Sequence, residues 1–142
     1  INFIKKNQMT NDFMVFARIE SFILNKNLAD AMNRAKKYVK AGVDGIMIHS
    51  KSKDPKEIFK FAKAFRKFNK KIPLVSVPST YNHVTEKNLI DNGFNIVIYA
   101  NQLLRASYYS MSKVAKEILT NSRAKESENN LISIKEIVNL IP

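Results

Sequence analysis

Two side chains suited to binding anions close consecutive apolar segments of this chain. Arg18 and Glu20 end the segment FMVFARIE, and His49 ends the segment DGIMIHS. A guanidinium can grip a carboxylate or phosphoryl group bidentately. An imidazole can donate a hydrogen bond to an anion or act as an acid or base. A structural ion pair between Arg18 and Glu20, which share one strand face, is an equally good interpretation of that pair alone.

Other polar residues at the ends of apolar segments are weaker candidates. Ser79 and Thr80 end the segment IPLVSVPST, and Asn101 ends FNIVIYAN. We expect them to cap the next helices rather than to bind substrate. His83 lies in a loop, where we expect it to order the loop. Lys51 and Lys53 are expected to be solvated.

The elements that would position these residues alternate regularly. Each of the four apolar segments is followed by apolar residues at helical spacing, a pattern typical of a parallel sheet with right-handed crossovers. A complete (β/α)8 barrel needs eight such units, and its active site lies at the carboxyl ends of the strands. We therefore predict an α/β fold, the second half of such a barrel (strands five to eight), with a small doubly wound sheet as the alternative.

The predicted organisation has three parts. Residues 1–119 form four βα units, residues 120–131 form a polar linker, and residues 132–142 form a C-terminal helix. Asn27, Asp54 and Thr85 are predicted to cap the second, third and fourth helices, and Ser133 with Glu136 reads as a capping box. Because the first residue is Ile1, we expect a piece of a longer polypeptide.

Composition narrows the class of protein. The chain has no cysteine, so it has neither a disulfide framework nor a thiolate metal site. It lacks an apolar run long enough to span a membrane and any signal peptide, so we expect a cytoplasmic protein. Carboxylates do not cluster at strand ends beyond Glu20, which leaves no evident site for Mg²⁺ in this stretch.

The formal net charge of +12 is concentrated in residues 56–71. Apolar residues at helical spacing alternate there with lysines, as on the outer helix of a barrel. We interpret the lysines as a solvated helix face. A basic module that binds RNA or another anionic surface is the alternative, although nucleic acid is the less favoured partner.

Several sequence runs carry a family resemblance. FARIE at residues 16–20 and AGVDGIMIHS at residues 41–50 resemble the isocitrate lyase/phosphoenolpyruvate mutase superfamily. The runs KSKDP, VPSTYNH and IVIYAN resemble its phosphoenolpyruvate mutase branch, and SIKEI at residues 133–137 is similar to the end of that branch's catalytic domain.

The resemblance implies a Mg²⁺-dependent barrel enzyme that interconverts phosphoenolpyruvate and phosphonopyruvate. By position, Arg18 and His49 would be catalytic residues that contact the phosphonyl or phosphoryl group. Glu20 would orient Arg18 or bind a water of the metal site. The Mg²⁺ ligands and the gating loop would belong to an N-terminal half that is absent here, so this segment alone would be inactive.

The resemblance also implies partner subunits, and it leaves alternative activities open. Family members form homodimers or homotetramers that exchange a helix, here residues 102–119 or 134–141. Phosphonopyruvate hydrolase and a carbon–carbon lyase of the superfamily are the alternative activities.

Overall fold

The computed structural model describes residues 1–140 and has α/β architecture. The elements are α1 (Asn2–Lys6), β1 (Phe16–Ile19), α2 (Leu28–Lys40), β2 (Gly45–Ile48), α3 (Lys56–Phe68), β3 (Leu74–Ser76), α4 (Glu86–Asp91), β4 (Ile96–Val97), α5 (Gln102–Asn121), a 3-10 helix (Lys125–Asn130) and α6 (Ile134–Asn139). They divide into two compact units, Ile1–Ala100 and the residues from Asn101 onward. Within residues 1–140, no helix combines the length and apolarity that crossing a bilayer would require.

The first unit contains a parallel sheet whose strands follow one another in chain order, β1-β2-β3-β4. A doubly wound sheet would reverse its strand order at a switch point, so the doubly wound alternative is wrong. Sequential parallel strands joined by right-handed crossovers place their helices on one face, as in a β/α barrel.

The helix-covered face of the sheet forms the core. Buried strand residues there pack with buried residues of the three crossover helices. The strand side is Ala17, Ile19, Ile46, Ile48 and Leu74, and the helix side includes Ala31, Ala35, Ile58, Phe61, Ala62, Phe65 and Leu89. Removing this much apolar surface from water is the main stabilising term for the unit.

The opposite face of the sheet is partly open. Phe16, Arg18, Ile96 and Ile98 are exposed on it. The apolar run from Phe13 to Ala17 is typical of a strand that is buried on both faces, but β1 is not buried in that way. The strand begins at Phe16 and alternates between exposed and buried residues because helices cover only one of its faces.

Helix boundaries follow the predicted caps closely. The side chains of Asn27, Thr85 and Ser133 each accept a hydrogen bond from the backbone N–H three residues later, and Ser133 forms the full capping box with Glu136. Asp54 accepts from the N–H of Lys56 at 3.0 Å. Gly42 follows α2 with a φ of +86°, a conformation that glycine adopts without a steric penalty.

The second unit differs from the expected polar linker. Helix α5 continues to Asn121, and residues 125–130 form a 3-10 helix packed on α5. Asn130 accepts from Lys113 Nζ at 2.8 Å and donates to Glu117 Oε2 at 3.1 Å, while Ser127 is buried. Polar composition suggested a linker, but these polar side chains bond to one another. Helix α6 ends at Asn139, and the predicted helical residue Ile141 lies outside the described residues.

Candidate active site

Arg18 lies on β1, and Glu20 follows that strand directly. Arg18 Nε donates to Glu20 Oε1 in an ion pair whose side chains are 53% and 36% exposed. Arg18 Nη1 and Nη2 make no hydrogen bond to any residue of the described part of the chain. The ion pair, which was one of two equal interpretations of these residues, therefore forms, and it still leaves the outer fork of the guanidinium open to an anion.

His49 follows β2 and continues the hydrogen-bond ladder between β1 and β2 by one residue. Its backbone N–H donates to Ile19 O at 3.3 Å, which fixes it beside the end of β1. Its Nδ1 atom is buried and has no hydrogen-bond partner among residues 1–140. Burial lowers the pKa of His49 below its usual value, the positive charge of Arg18 lowers it further, and Glu20 partly offsets both. The imidazole is therefore neutral at neutral pH.

The strand register brings these three residues together. Arg18 pairs with Met47 and Ile19 with Ile48, so Glu20 and His49 lie at the next level. Because side chains alternate along a strand, Arg18, Glu20 and His49 share the open face of the sheet. They lie where the strands end at their carboxyl side, which is the active-site side of β/α folds.

A hydrogen-bond network behind His49 was missed in the sequence. The side chain of the buried residue Ser50 donates to Glu57 Oε1 and accepts from the N–H of Ser52 at 2.9 Å. Thr80 Oγ1 donates to Ser50 O at 3.0 Å, which joins the loops after β2 and β3. Serine and threonine at strand ends were visible in the sequence, but the pairing of Ser50 with Glu57 depends on the path of the loop between them.

The weaker candidates have mixed outcomes. Ser79 and Thr80 do not cap a helix, since α4 begins later and Thr85 caps it. Asn101 occupies the N-cap position of α5 without a capping side-chain bond. Lys51 and Lys53 are exposed, as expected. His83 is exposed in its loop, and the role of ordering that loop stays a prediction. Tyr81 is fully buried with its hydroxyl 3.1 Å from Ser76 Oγ, and burial raises its pKa, so it is a core residue.

The described residues do not fit a metal ion. Residues 1–140 contain no group of three or more acidic, histidine or cysteine side chains placed to hold one. Glu20, the acidic residue nearest to His49 along this edge, is already paired with Arg18. We therefore derive no chemical step through Mg²⁺ from this chain.

This arrangement can bind a phosphoryl-sized anion and stabilise charge that develops on it. Arg18 supplies a permanent cation, and His49 supplies an imidazole beside it whose buried Nδ1 has no partner among residues 1–140. Fixed donors of this kind, partly shielded from water, are effective at stabilising transition-state charge. The fold and the site define the class: half of a β/α barrel whose strands β1 and β2 carry Arg18 and His49 at their carboxyl ends.

Comparisons with known proteins identify the family. Residues 1–119 match the sequence profile of the family described as phosphoenolpyruvate phosphomutase. A phosphoenolpyruvate phosphomutase of Tetrahymena pyriformis is 35% identical over 136 residues, which cover 96% of this chain and 44% of that protein. A phosphonopyruvate hydrolase of Variovorax sp. (strain Pal2) is 37% identical over 130 residues, which cover 91% of this chain and 44% of that protein. The chain belongs to the phosphoenolpyruvate phosphomutase family.

Solved structures agree with this assignment. The crystal structure of a phosphoenolpyruvate phosphomutase from Streptomyces platensis subsp. rosaceus superposes with a TM-score of 0.88 at 32% identity, covering 98% of this chain and 47% of that one. A phosphonopyruvate hydrolase in complex with oxalate and Mg²⁺ superposes with a TM-score of 0.87 at 34% identity, covering 98% and 48%. The chain therefore spans about half the length of these relatives, as predicted for half of a barrel.

Proposed function

We propose that this chain supplies the phosphoryl-binding half of a phosphoenolpyruvate mutase. In that isomerisation the phosphorus–oxygen bond of phosphoenolpyruvate breaks and a carbon–phosphorus bond forms to C3, which gives phosphonopyruvate. The observation that carries the proposal is the placement of Arg18 and His49 on the open face at the ends of adjacent strands. The family match and the similarity to two kinds of phosphonopyruvate-converting enzyme support it.

We assign the roles by chemistry. Arg18 binds the phosphoryl oxygens through its free Nη groups, and Glu20 holds that guanidinium in place through Nε. His49 binds the same group through a ring nitrogen, and it gains a proton more readily once a dianion lies beside it. Both contacts strengthen as charge builds on the phosphoryl group during transfer.

Mg²⁺ belongs to the proposal only through the rest of the barrel. One solved relative is a phosphonopyruvate hydrolase complexed with oxalate and Mg²⁺. Residues 1–140 offer no metal cluster, so we expect the Mg²⁺ ligands in the N-terminal half. When bound, Mg²⁺ would supply charge neutralisation and substrate orientation.

Phosphonopyruvate hydrolase is the second candidate function. It is favoured by one specific observation, since the hydrolase relative is as similar to this chain as the mutase relatives are. In the hydrolase reaction the carbon–phosphorus bond breaks, water supplies the oxygen to phosphorus, and C3 takes the proton. A carbon–carbon lyase of the superfamily and a basic RNA-binding module remain less favoured candidates.

Phosphorus NMR decides between the two leading activities. The test uses the barrel-length protein, meaning a polypeptide that contains this chain and matches its relatives in length. Incubated with phosphonopyruvate and Mg²⁺, it is expected to produce a phosphoenolpyruvate resonance. Accumulation of inorganic phosphate instead would establish the hydrolase, and an unchanged phosphonopyruvate signal would contradict both.

We also propose that the protein assembles as a homodimer or homotetramer that exchanges a helix, either α5 or the region of α6. Helix α5 has twenty residues and none of them is buried, although Leu103, Leu104 and Met111 are large apolar residues. Exposed apolar surface of this extent is typical of a surface that another chain covers.

A further inference from the structure

A groove lined by cations lies at the end of the sheet opposite to Arg18 and His49. It has a volume of about 510 Å³ and is formed by the C-terminal half of α3 and the turn after α4. Its cations are Lys63, Arg66, Lys67 and Lys70. The groove lies near the amino ends of β3 and β4, because Arg66 bonds to Ile72 and Asn95, which come just before those strands.

Arg66 is fixed in the groove without a counter-charge. Its Nε donates to Gly93 O at 2.8 Å, its Nη1 to Ile72 O at 2.8 Å, and its Nη2 to Asn95 Oδ1. Every one of these acceptors is a neutral oxygen. Burial lowers the pKa of Arg66, but an arginine stays protonated in proteins. The guanidinium therefore contributes a rigid, uncompensated positive charge to the groove.

Three lysines surround this charge. Lys63 and Lys67 lie one turn apart on the same side of α3, and Lys70 follows the end of that helix at Phe68. None of the three forms an ion pair in the part of the chain that the structure describes. The acidic residue of the groove, Asp91, is paired with Lys87 at 2.9 Å.

Helix electrostatics do not explain the whole cluster. A helix dipole favours cations within its last turn, which accounts for Lys67. Lys63 lies further from the end of α3, where that effect has faded, and like charges four residues apart repel each other by about 0.2–0.5 kcal/mol. Within the described residues, the four cations of the groove thus outnumber its one carboxylate, Asp91, which is paired with Lys87.

We propose that this groove binds a small, multiply charged oxyanion of the oligophosphate class. Arg66 provides the fixed charge at the site, and the three lysines provide mobile donors that close on the ligand. Several of these cations line one groove, so a chain of phosphate groups engages more of them at once than a single phosphate does. The groove volume lies within the usual range of about 300–1,000 Å³ for small-molecule sites.

Calorimetric titration with inorganic tripolyphosphate tests this site. The intact protein is expected to bind one equivalent saturably at moderate ionic strength. The double variant Lys63→Gln/Lys67→Gln removes two charge-assisted contacts, and we expect its affinity to fall at least about tenfold. The matched control is Lys37→Gln/Lys40→Gln, which removes the same charge from exposed positions of α2 outside the groove. We expect its affinity to stay within about twofold of the original.

Three outcomes would overturn the proposal. Equal losses in the two double variants would show attraction to overall positive charge rather than to the groove. Loss of tripolyphosphate binding in Arg18→Ala would place the ligand at the carboxyl ends of the strands, on the opposite side of the sheet from the groove. Displacement of tripolyphosphate by duplex DNA, with affinity falling steeply in salt, would make the surface a nucleic-acid site instead. Because these readouts measure binding alone, their failure is distinguishable from failure of the proposed mutase activity.

Discussion

His49 is a candidate site residue whose ionisation the fold controls. Burial and the charge of Arg18 lower the pKa of its imidazole below about 6.5, the usual value. Between the lowered pKa and that usual value, the unfolded chain binds more protons than the folded one. His49 therefore makes the fold less stable as pH falls through this window, and the penalty disappears above it.

The same shift predicts a pH dependence of substrate binding. A phosphoryl dianion binds the protonated imidazole more strongly, so the affinity of the barrel-length protein for phosphonopyruvate should rise as pH falls towards the pKa of His49, with proton uptake on binding. Calorimetry in buffers of different ionisation enthalpy measures that uptake. In His49→Asn we expect the proton uptake by the protein to vanish. Only the protons that the ligand itself gains or loses would then remain. Identical uptake in both proteins would contradict the role given to His49.

Glu57 is expected to support the loop that carries His49. Glu57→Ala removes the acceptor of the buried Ser50 hydroxyl, so we expect a loss of about 1–2 kcal/mol in the free energy of unfolding. Glu57→Gln keeps an acceptor oxygen and should recover most of that loss. Chemical denaturation measures both, with the exposed neighbour Lys60→Ala as the control. If Glu57→Ala and Lys60→Ala are equally stable, the hydrogen bond contributes nothing.

At the residue level, the sequence identified which residues could act in the site better than it predicted which residues they contact. Arg18 and His49 stood out because a charged and a titratable residue closed apolar segments. Their sharing of one face depends on strand register, which the sequence did not fix. The partner of Ser50 lies seven residues away across a loop with no repeating pattern, so no local rule predicted it.

At the scale of elements, short polar side chains cap the starts of several helices, and these helix starts were predictable from the sequence. Asn27, Thr85 and Ser133 cap helices as expected because capping depends on residues three apart in the chain. The 3-10 helix at residues 125–130 was not predicted, since its stabilising bonds join Asn130 to Lys113 and Glu117, more than a helical turn away. Long-range polar pairing of this kind leaves no periodic signal.

Arg66 shows how a surface-helix cation can join elements. Its bonds connect α3 to the segments before β3 and β4, and Asn95 Oδ1 also accepts from the N–H of Leu74 at 3.0 Å. In the sequence it was indistinguishable from the lysines of residues 56–71. Only the fold separates this fixed arginine from its solvated neighbours.

Replacing Arg66 should therefore destabilise the first unit. Arg66→Ala removes the side-chain donor to the carbonyls of Ile72 and Gly93 and one of two donors to Asn95 Oδ1, and we expect a loss of about 2–4 kcal/mol in the free energy of unfolding. The adjacent exposed variant Lys67→Ala should stay within about 0.5 kcal/mol of the original protein. Urea denaturation followed by circular dichroism gives both values. Equal stabilities for the two variants would show that the Arg66 bonds are not stabilising.

At the scale of the whole molecule, the four βα units have the form of an incomplete barrel. The edge strands β1 and β4 each have one strand neighbour within the described residues, and the open face exposes Phe16, Ile96 and Ile98. Unpaired strand edges invite pairing with further strands. The regular alternation of four segments predicted both the parallel sheet and half of a barrel, and the half-length match to relatives agrees with that prediction.

The proposed helix exchange predicts the state of assembly. Replacing Leu104 and Met111 of α5 by aspartate should weaken the association of the barrel-length protein, because it places charges in apolar surface that a partner would cover. Sedimentation velocity is expected to show a dimer or tetramer that shifts towards monomer in this variant. The control is the double variant Ser107→Asp/Ser110→Asp, which adds the same charge at exposed polar positions of the same helix and tests for an effect of charge alone. A monomeric parent protein would contradict the exchange outright.

The most direct test of the central claim measures how replacing Arg18 changes the turnover of phosphonopyruvate. Phosphorus NMR follows the conversion of phosphonopyruvate by the barrel-length protein, by Arg18→Ala and by the control Lys51→Ala, whose exposed lysine follows the same strand end as His49. If Arg18 binds the transferred phosphoryl group, kcat/KM should fall at least about a hundredfold in Arg18→Ala and stay within about twofold in Lys51→Ala. Comparable activity in Arg18→Ala and the parent protein would contradict the assignment of this strand edge as the phosphoryl-binding site.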